Sequence, residues 1–156
     1  MQRLAIGTFL VLVLDQLTKI FVVHWMDLKT VLRIEVFPPF LNFQMAWNRG
    51  VNFGLLSGDA ESTRWILIIV ALAISAAVVV WVYRSPMPPV AHWAAGLIVG
   101  GALGNVIDRL LYGAVADFLN MSCCGVVNPF SFNIADVAIF VGAIGLVFFG
   151  DRKNPA

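Results

Sequence analysis

Charge is what this sequence has least of. Only 12% of its 156 residues are Asp, Glu, Lys or Arg, and 60% are hydrophobic. A soluble domain carries about 25% charged and 45–50% apolar residues. The excess apolar surface has no place in water, which excludes an ordinary soluble domain and points to an integral membrane protein. Basic runs are missing as well. The formal net charge is +1, and a nucleic-acid surface needs clustered Lys and Arg, so no nucleic-acid partner is expected. Histidine and cysteine are scarce: His24 and His92 lie far apart, and Cys123 and Cys124 are adjacent. Neither pattern has metal-ligand spacing, so neither a metal nor a cofactor is expected. The cysteine pair reads as ordinary loop packing, since free Cys behaves as a small hydrophobe; a vicinal disulfide or a reactive thiol is the alternative.

What the chain does have is apolar runs of membrane-spanning length. Residues 4–25 form the first. Arg3 followed by Leu-Ala-Ile-Gly-Thr-Phe looks like a secretory signal, but such a signal ends in a small-residue cleavage site after a short apolar core. Here the run continues past Asp15 and Lys19 through Phe21-Val22-Val23, and about 20 residues span a bilayer, so a retained transmembrane helix is expected. Asp15 and Lys19 stand at i, i+4 on one face, acid first, which is the favourable order. They either compensate each other or brace a polar site inside the bundle.

Residues 27–60 carry too many charges, and Pro38-Pro39, to span. Within them Leu41, Phe43, Met45 and Trp47 alternate with Asn42, Gln44, Ala46 and Asn48. That period of two predicts a β-strand with one apolar face, able to lie on the membrane surface with Trp47 at the interface. The stretch 48–54 is then a glycine-punctuated turn or second strand. Further spans are expected at 65–83, 90–111 and 133–149, with 112–131 as a polar loop. Gly96, Gly100 and Gly104 recur every four residues, a small-residue stripe that permits close helix approach. The expected fold class is thus an all-α membrane protein: one integral domain over 1–156, with four transmembrane helices and a small extracytoplasmic β-strand region at about 27–60, between helices 1 and 2. The Lys/Arg distribution leans towards both termini being cytoplasmic.

That topology gathers chemistry at one end of the bundle. Asp108 and Arg109 fall near the outer end of the third span, Asp117 just after it, and Asn133 and Asp136 in the first turn of the fourth at i, i+3. Two carboxylates in a partly dry site cannot both ionise easily; one pKa rises and the pair shares a proton. Such a pair can activate water for attack on an amide. From spacing alone the acids suit an ion site or proton path somewhat better than a peptidase, and they also suit helix caps and partners for Arg109.

Taken together, the motifs identify a family. Asp15-Gln16-Leu17-Thr18-Lys19, Asn48-Arg49-Gly50 with Phe53, the run from Gly101 to Arg109, Val115-Ala116-Asp117-Phe118 and Phe132-Asn133-Ile134-Ala135-Asp136 stand in the order of the lipoprotein signal peptidases (signal peptidase II), bacterial membrane aspartic peptidases. The sequence resembles that family over nearly its whole length. The resemblance implies Asp117 and Asp136 as the catalytic pair. It implies Asp15, Lys19, Asn48, Gly50, Asn105, Asp108, Arg109, Asn133 and Ala135 as supporting or substrate-binding residues, and no metal. It further implies an aspartic endopeptidase that cleaves diacylated prolipoproteins just before the lipidated cysteine. Also implied are a location in the cytoplasmic (inner) membrane in contact with membrane lipid, a site near the extracytoplasmic face, and inhibition by cyclic peptide antibiotics. Val51-Asn52 and Ala116 depart from the family's usual residues and bear only on substrate fit.

Overall fold

Helix formation follows the apolar runs. The structure is a computed structural model that describes residues 1–50, 60–123, 125 and 128–150. Helix α1, Gln2–Lys19, continues without a break into a π-helical segment, Ile20–Trp25, closed by the Met26 N–H donating to the Phe21 carbonyl at 2.9 Å. A short helix α2, Leu28–Val31, lies between Asp27 and Leu32, both with positive φ. Helix α3 is Ala60–Arg84, α4 is Pro89–Tyr112 and α5 is Ile134–Phe149. Pro88-Pro89 starts α4, where a missing N–H costs nothing, and Gly113, with φ 74°, ends it. α3 begins five residues before the expected 65, because Ala60–Arg64 is polar yet helical, with Glu61 in the favourable first turn.

Among the described residues, three helical stretches are long and apolar enough to cross a membrane: Gln2–Trp25, Glu61–Arg84 and Pro89–Tyr112. Ile134–Phe149 is apolar but shorter. Helix α4 is the hub, packed between α1 and α5, with α3 leaning on it from a third side. The glycine stripe faces α1. A Cβ at Gly96 would lie 2.7 Å from the Leu4 carbonyl oxygen, and one at Gly100 2.7 Å from that of Thr8. On another face, α5 crosses at Gly142, where a Cβ would meet the Ala94 carbonyl at 2.5 Å.

The strand expected at 41–48 is there: β2, Leu41–Asn48, pairs antiparallel with β1, Arg33–Phe37. A third strand, β3, Val115–Met121, pairs antiparallel with the other side of β2, giving the order β1-β2-β3. This corrects the expectation of a loop over 112–131 and of a strand region confined between the first two spans. β3 is covered on both faces, so it lacks the alternation that reveals a half-buried strand. The apolar face of β2 also has a protein partner: Phe43 and Met45 pack against Val22, Val23, Leu28, Ala116 and Phe118. A second apolar cluster, around Leu4, Val82, Ala91, Ala94, Ala95, Ile98 and Leu146, sits at the opposite end of the bundle. Between the two lies a polar layer. Gly50 is described; the rest of the expected turn at 51–54 lies outside the described residues. Cys123 is disulfide-bonded, which corrects its reading as a free packing residue.

Candidate active site

The polar layer forms where α1, α4, β3 and the start of α5 meet. Helix α5 begins at Asn133, an N-cap with extended backbone (φ −132°, ψ 179°). The Asp136 N–H donates to Asn133 Oδ1 at 2.9 Å, and the Asn133 N–H donates to Asp136 Oδ2 at 3.2 Å. This capping box leaves the Asn133 amide nitrogen pointing outward. It donates to Asp117 Oδ1 at 2.6 Å and to Asn105 Oδ1 at 3.2 Å. Asn105, on α4, completes a ring by donating to Asp136 Oδ1 at 3.0 Å. Asp117 and Asp136 are thus linked through two carboxamides.

Asp117 reaches the ring from β3, where it stands opposite Ala46 of β2. Its other oxygen, Oδ2, accepts from Asn48 Nδ2 at 3.1 Å. Asn48 is itself held, since the Gly50 N–H donates to its Oδ1 at 3.0 Å. Gly50 has φ 107°, a conformation that only glycine adopts readily. Asp117 is 3% exposed, whereas Asp136 is half-buried. Burial pushes the Asp117 carboxyl up to about 7; the negative charge of Asp136 adds to the rise, and the donors Asn48 and Asn133 oppose it. A carboxylic acid that keeps its proton near neutrality, beside a second carboxyl group, is the arrangement needed to hold and pass one proton.

Behind the ring lies an ion cluster. Lys19 Nζ stands 2.8 Å from Asp15 Oδ2 and 2.8 Å from Asp108 Oδ2, and 3.4 Å from Asn105 Oδ1. Asp15 and Asp108 are both 0% exposed. Asp15 Oδ1 accepts from the Ala135 N–H at 3.0 Å, and Asp108 Oδ2 accepts from the Ala116 N–H at 3.0 Å. The small side chain of Ala135 lets α5 approach α4 here, 3.6 Å from where a Cβ on Gly104 would lie. Arg109 donates to the Asn105 carbonyl at 3.2 Å, and its guanidinium is within electrostatic reach of Asp117, Asp136 and Asp108.

The eleven positions marked from the sequence therefore occupy one contiguous region. The alternative of a proton path needs acids spread across bilayer depth; Asp15, Asp108, Asp117 and Asp136 converge instead. The helix-cap alternative holds for one oxygen of Asp136, which still presents Oδ1 to Asn105. Two contributors carried no role in the sequence reading. Gln16 donates to Asp15 Oδ2 and Asp108 Oδ1, each at 3.1 Å. Its only signal is an amide inside an apolar run, off the Asp15–Lys19 face. Asn120 donates to the carbonyls of Asn128 and Phe130 at 2.8 and 2.9 Å, tying β3 to the segment before α5. Beside the ring, a cavity of about 260 Å³ opens between α3, α4 and α5; Leu67, Ile74, Ala102 and Ile139 line it, and Asn105 and Arg109 form its polar end. Among the described residues no group of His, Cys, Asp and Glu could hold a metal ion.

Comparison with known proteins points to one family. The family model for Signal peptidase (SPase) II matches residues 7–150. A lipoprotein signal peptidase of Methylorubrum extorquens is 41% identical over 144 residues, covering 92% of this chain and 82% of that protein. One from Methylobacterium radiotolerans is 40% identical over 154 residues, covering 94% and 88%. Among solved structures, one described as a bacterial membrane enzyme determined by the in meso method at 1.9 Å superposes with a TM-score of 0.79 at 29% identity, over 99% of this chain and 96% of that one.

Proposed function

The chain belongs to the signal peptidase II family, and from that premise we propose that it is an aspartic endopeptidase with Asp117 and Asp136 as its catalytic pair. As a member of the family it is a bacterial membrane peptidase that removes signal peptides from prolipoproteins. One observation carries the aspartic assignment: Asn133 and Asn105 join the two carboxyl groups in one continuous hydrogen-bonded chain. Asp117 keeps its proton to about pH 7. Asp136 takes a proton from a water molecule, whose oxygen attacks the scissile carbonyl carbon. The Asp117 hydroxyl donates to the developing oxyanion. As the C–N bond breaks, a proton passes to the leaving nitrogen. Asn105 and Asn133 hold the pair in register, while Asn48 and Gly50 roof it from the sheet side. Arg109 offsets the negative charge, and Ala135 leaves room for the close approach of α5. Asp15, Lys19 and Asp108 brace the site from behind.

The substrate in this reading is a prolipoprotein whose cysteine already carries diacylglycerol, cut just before that cysteine. The apolar cavity between α3, α4 and α5 suits a signal helix or acyl chain arriving from the bilayer, with its polar end at the ring. The chain is a single integral domain of four spans in the cytoplasmic (inner) membrane. Both termini are cytoplasmic, and the sheet and site lie near the extracytoplasmic face. Helix α5 has 16 residues, about 24 Å against about 30 Å of hydrocarbon, so its polar N-cap sits below the outer interface, under the sheet. Cyclic peptide antibiotics that occupy the pair are expected to inhibit. Neither metal nor nucleic acid has a part.

The test is cleavage of a diacylated prolipoprotein by the purified enzyme in liposomes. Cleavage is expected to survive EDTA and serine-directed reagents, and to drop sharply on the unlipidated precursor. Loss of activity on chelation, or equal cleavage of both precursors, contradicts the proposal.

A further inference from the structure

The two carboxylates behind the ring do matching jobs. Asp108 Oδ2 accepts from the N–H of Ala116, the residue immediately before Asp117; Asp15 Oδ1 accepts from the N–H of Ala135, the residue immediately before Asp136. Each bond is 3.0 Å long, and each grips the backbone one residue from the group that it positions. Two donors join these grips. Lys19 Nζ lies 2.8 Å from both carboxylates, and Gln16 Nε2 donates to both at 3.1 Å. The chain of contacts runs from β3 through Asp108, across Lys19 and Gln16, through Asp15 to α5. Phe132 and Asn133 also tie β3 directly to the start of α5; the chain of contacts through α1 is a second, separate tie.

Burying two carboxylates and one ammonium is costly, and an apolar packing of similar volume often matches or exceeds the stability of such a cluster. A chain this poor in charge still places three charged groups here. What an ionic bridge offers that apolar packing lacks is a fixed length, since short charge-assisted bonds have narrow geometry.

We infer that Lys19 and Gln16 are positioning residues: two parallel struts that, together with the direct link through Asn133 and Asn105, set the separation of the Asp117 and Asp136 carboxyl groups by holding Asp108 and Asp15 at a fixed distance. This rests on the assignment of Asp117 and Asp136 as the catalytic pair. Neither strut lines the cavity beside the ring. Gln16 shares the task without carrying charge, so its loss leaves the charges of the ion cluster unchanged.

Two conservative variants of the full-length enzyme in liposomes test this, read as kcat against KM on the diacylated precursor. Gln16→Met removes one strut and no charge. A misplacement of catalytic groups by a fraction of an ångström lowers the rate without affecting binding, so kcat is expected to fall about 3–10-fold with KM within about twofold. Lys19→Arg keeps the charge but replaces a compact ammonium with a longer planar head. For it kcat is expected to fall at least about 10-fold, again with KM little changed. If the cluster only glues helices, or only supplies a positive charge, Lys19→Arg and Gln16→Met that fold cleave with wild-type kcat; that result, or a loss confined to KM, overturns the inference. Asp117→Asn and Asp136→Asn run alongside. If they are inactive while the strut variants keep wild-type kcat, the strut inference alone fails. If they stay active, the catalytic assignment fails with it. Gln16 is half-buried and uncharged, so its variant reads out even where a Lys19 variant does not fold.

Discussion

Burying the Asp117 carboxyl, the proposed catalytic acid, costs the fold stability near neutral pH. Its folded-state pKa of about 7 stands above the ordinary 3.8. Between those values the folded state holds a proton that the unfolded chain has released, so stability falls as pH rises from about 4 to about 7, by about 4 kcal/mol in all. Asp117→Asn is isosteric and never ionises. It is therefore expected to lower kcat about 10²–10⁴-fold and to raise the thermal midpoint at pH 8 by several degrees, while changing it little at pH 4. Thermal unfolding in detergent at both values checks this, and a variant less stable than wild type at pH 8 contradicts it. Asn105 offers a second test at this scale. It donates to Asp136 and accepts from Asn133 and Lys19. Asn105→Ala leaves those groups short of a partner in a buried layer, which costs about 1–3 kcal/mol. Its kcat is expected to fall about 10–100-fold, within the span that acid–base assistance supplies, as measured in the liposome cleavage assay.

Helix contacts separate packing from chemistry. Gly100 and Gly104 belong to the same stripe on α4 and both face α1. A Cβ on Gly100 meets the Thr8 carbonyl at 2.7 Å, a purely structural crossing; a Cβ on Gly104 meets Asp15 Oδ2 at 2.6 Å. Both alanine variants are expected to lose about 1–3 kcal/mol from overpacking. Only Gly104→Ala displaces a carboxylate that grips α5, so only it is expected to lower kcat in the folded fraction. Equal kcat for the two variants contradicts the division. At this scale the sequence was uneven to read. The long helices and β2 were legible because apolar run length and strict alternation are local signals. The stripe at Gly96, Gly100 and Gly104 was legible because its spacing follows the helix. Strand β1 carries a short alternation, Ile34 and Val36 against Arg33 and Glu35, which the surrounding charges outweighed. Strand β3 had no periodicity to find, being covered on both faces. Spacing placed Asp117 and Asp136 near each other but could not tell them from Asp108, since what separates the three is which backbone N–H or amide each one meets. Gln16 was missed for the same reason: its importance lies in two partners that are 1 and 92 residues away in sequence.

Across the whole molecule, aromatic side chains mark two levels. Trp25, Trp47, Trp65 and Tyr112 are exposed at the sheet end, and Trp81, Tyr83 and Trp93 at the other, the positions that amphipathic rings favour at the two membrane interfaces. The polar layer lies nearer the sheet end, between the apolar clusters around Ala95 and around Leu28. This arrangement predicts that Glu35→Cys, in a background with Cys123 and Cys124 replaced by serine, reacts with a membrane-impermeant maleimide added to intact spheroplasts, while Pro86→Cys reacts only after lysis. The reverse pattern inverts the topology. In the proposed reading the sheet roofs a site that substrate enters from the side, and the carboxyl pair under that roof is its centre. Its most direct test is the cleavage of a diacylated prolipoprotein in liposomes by Asp117→Asn and Asp136→Asn beside wild type. Each is expected to lose about 10²–10⁴-fold in kcat while retaining the fold; cleavage at near wild-type rate by either contradicts the account.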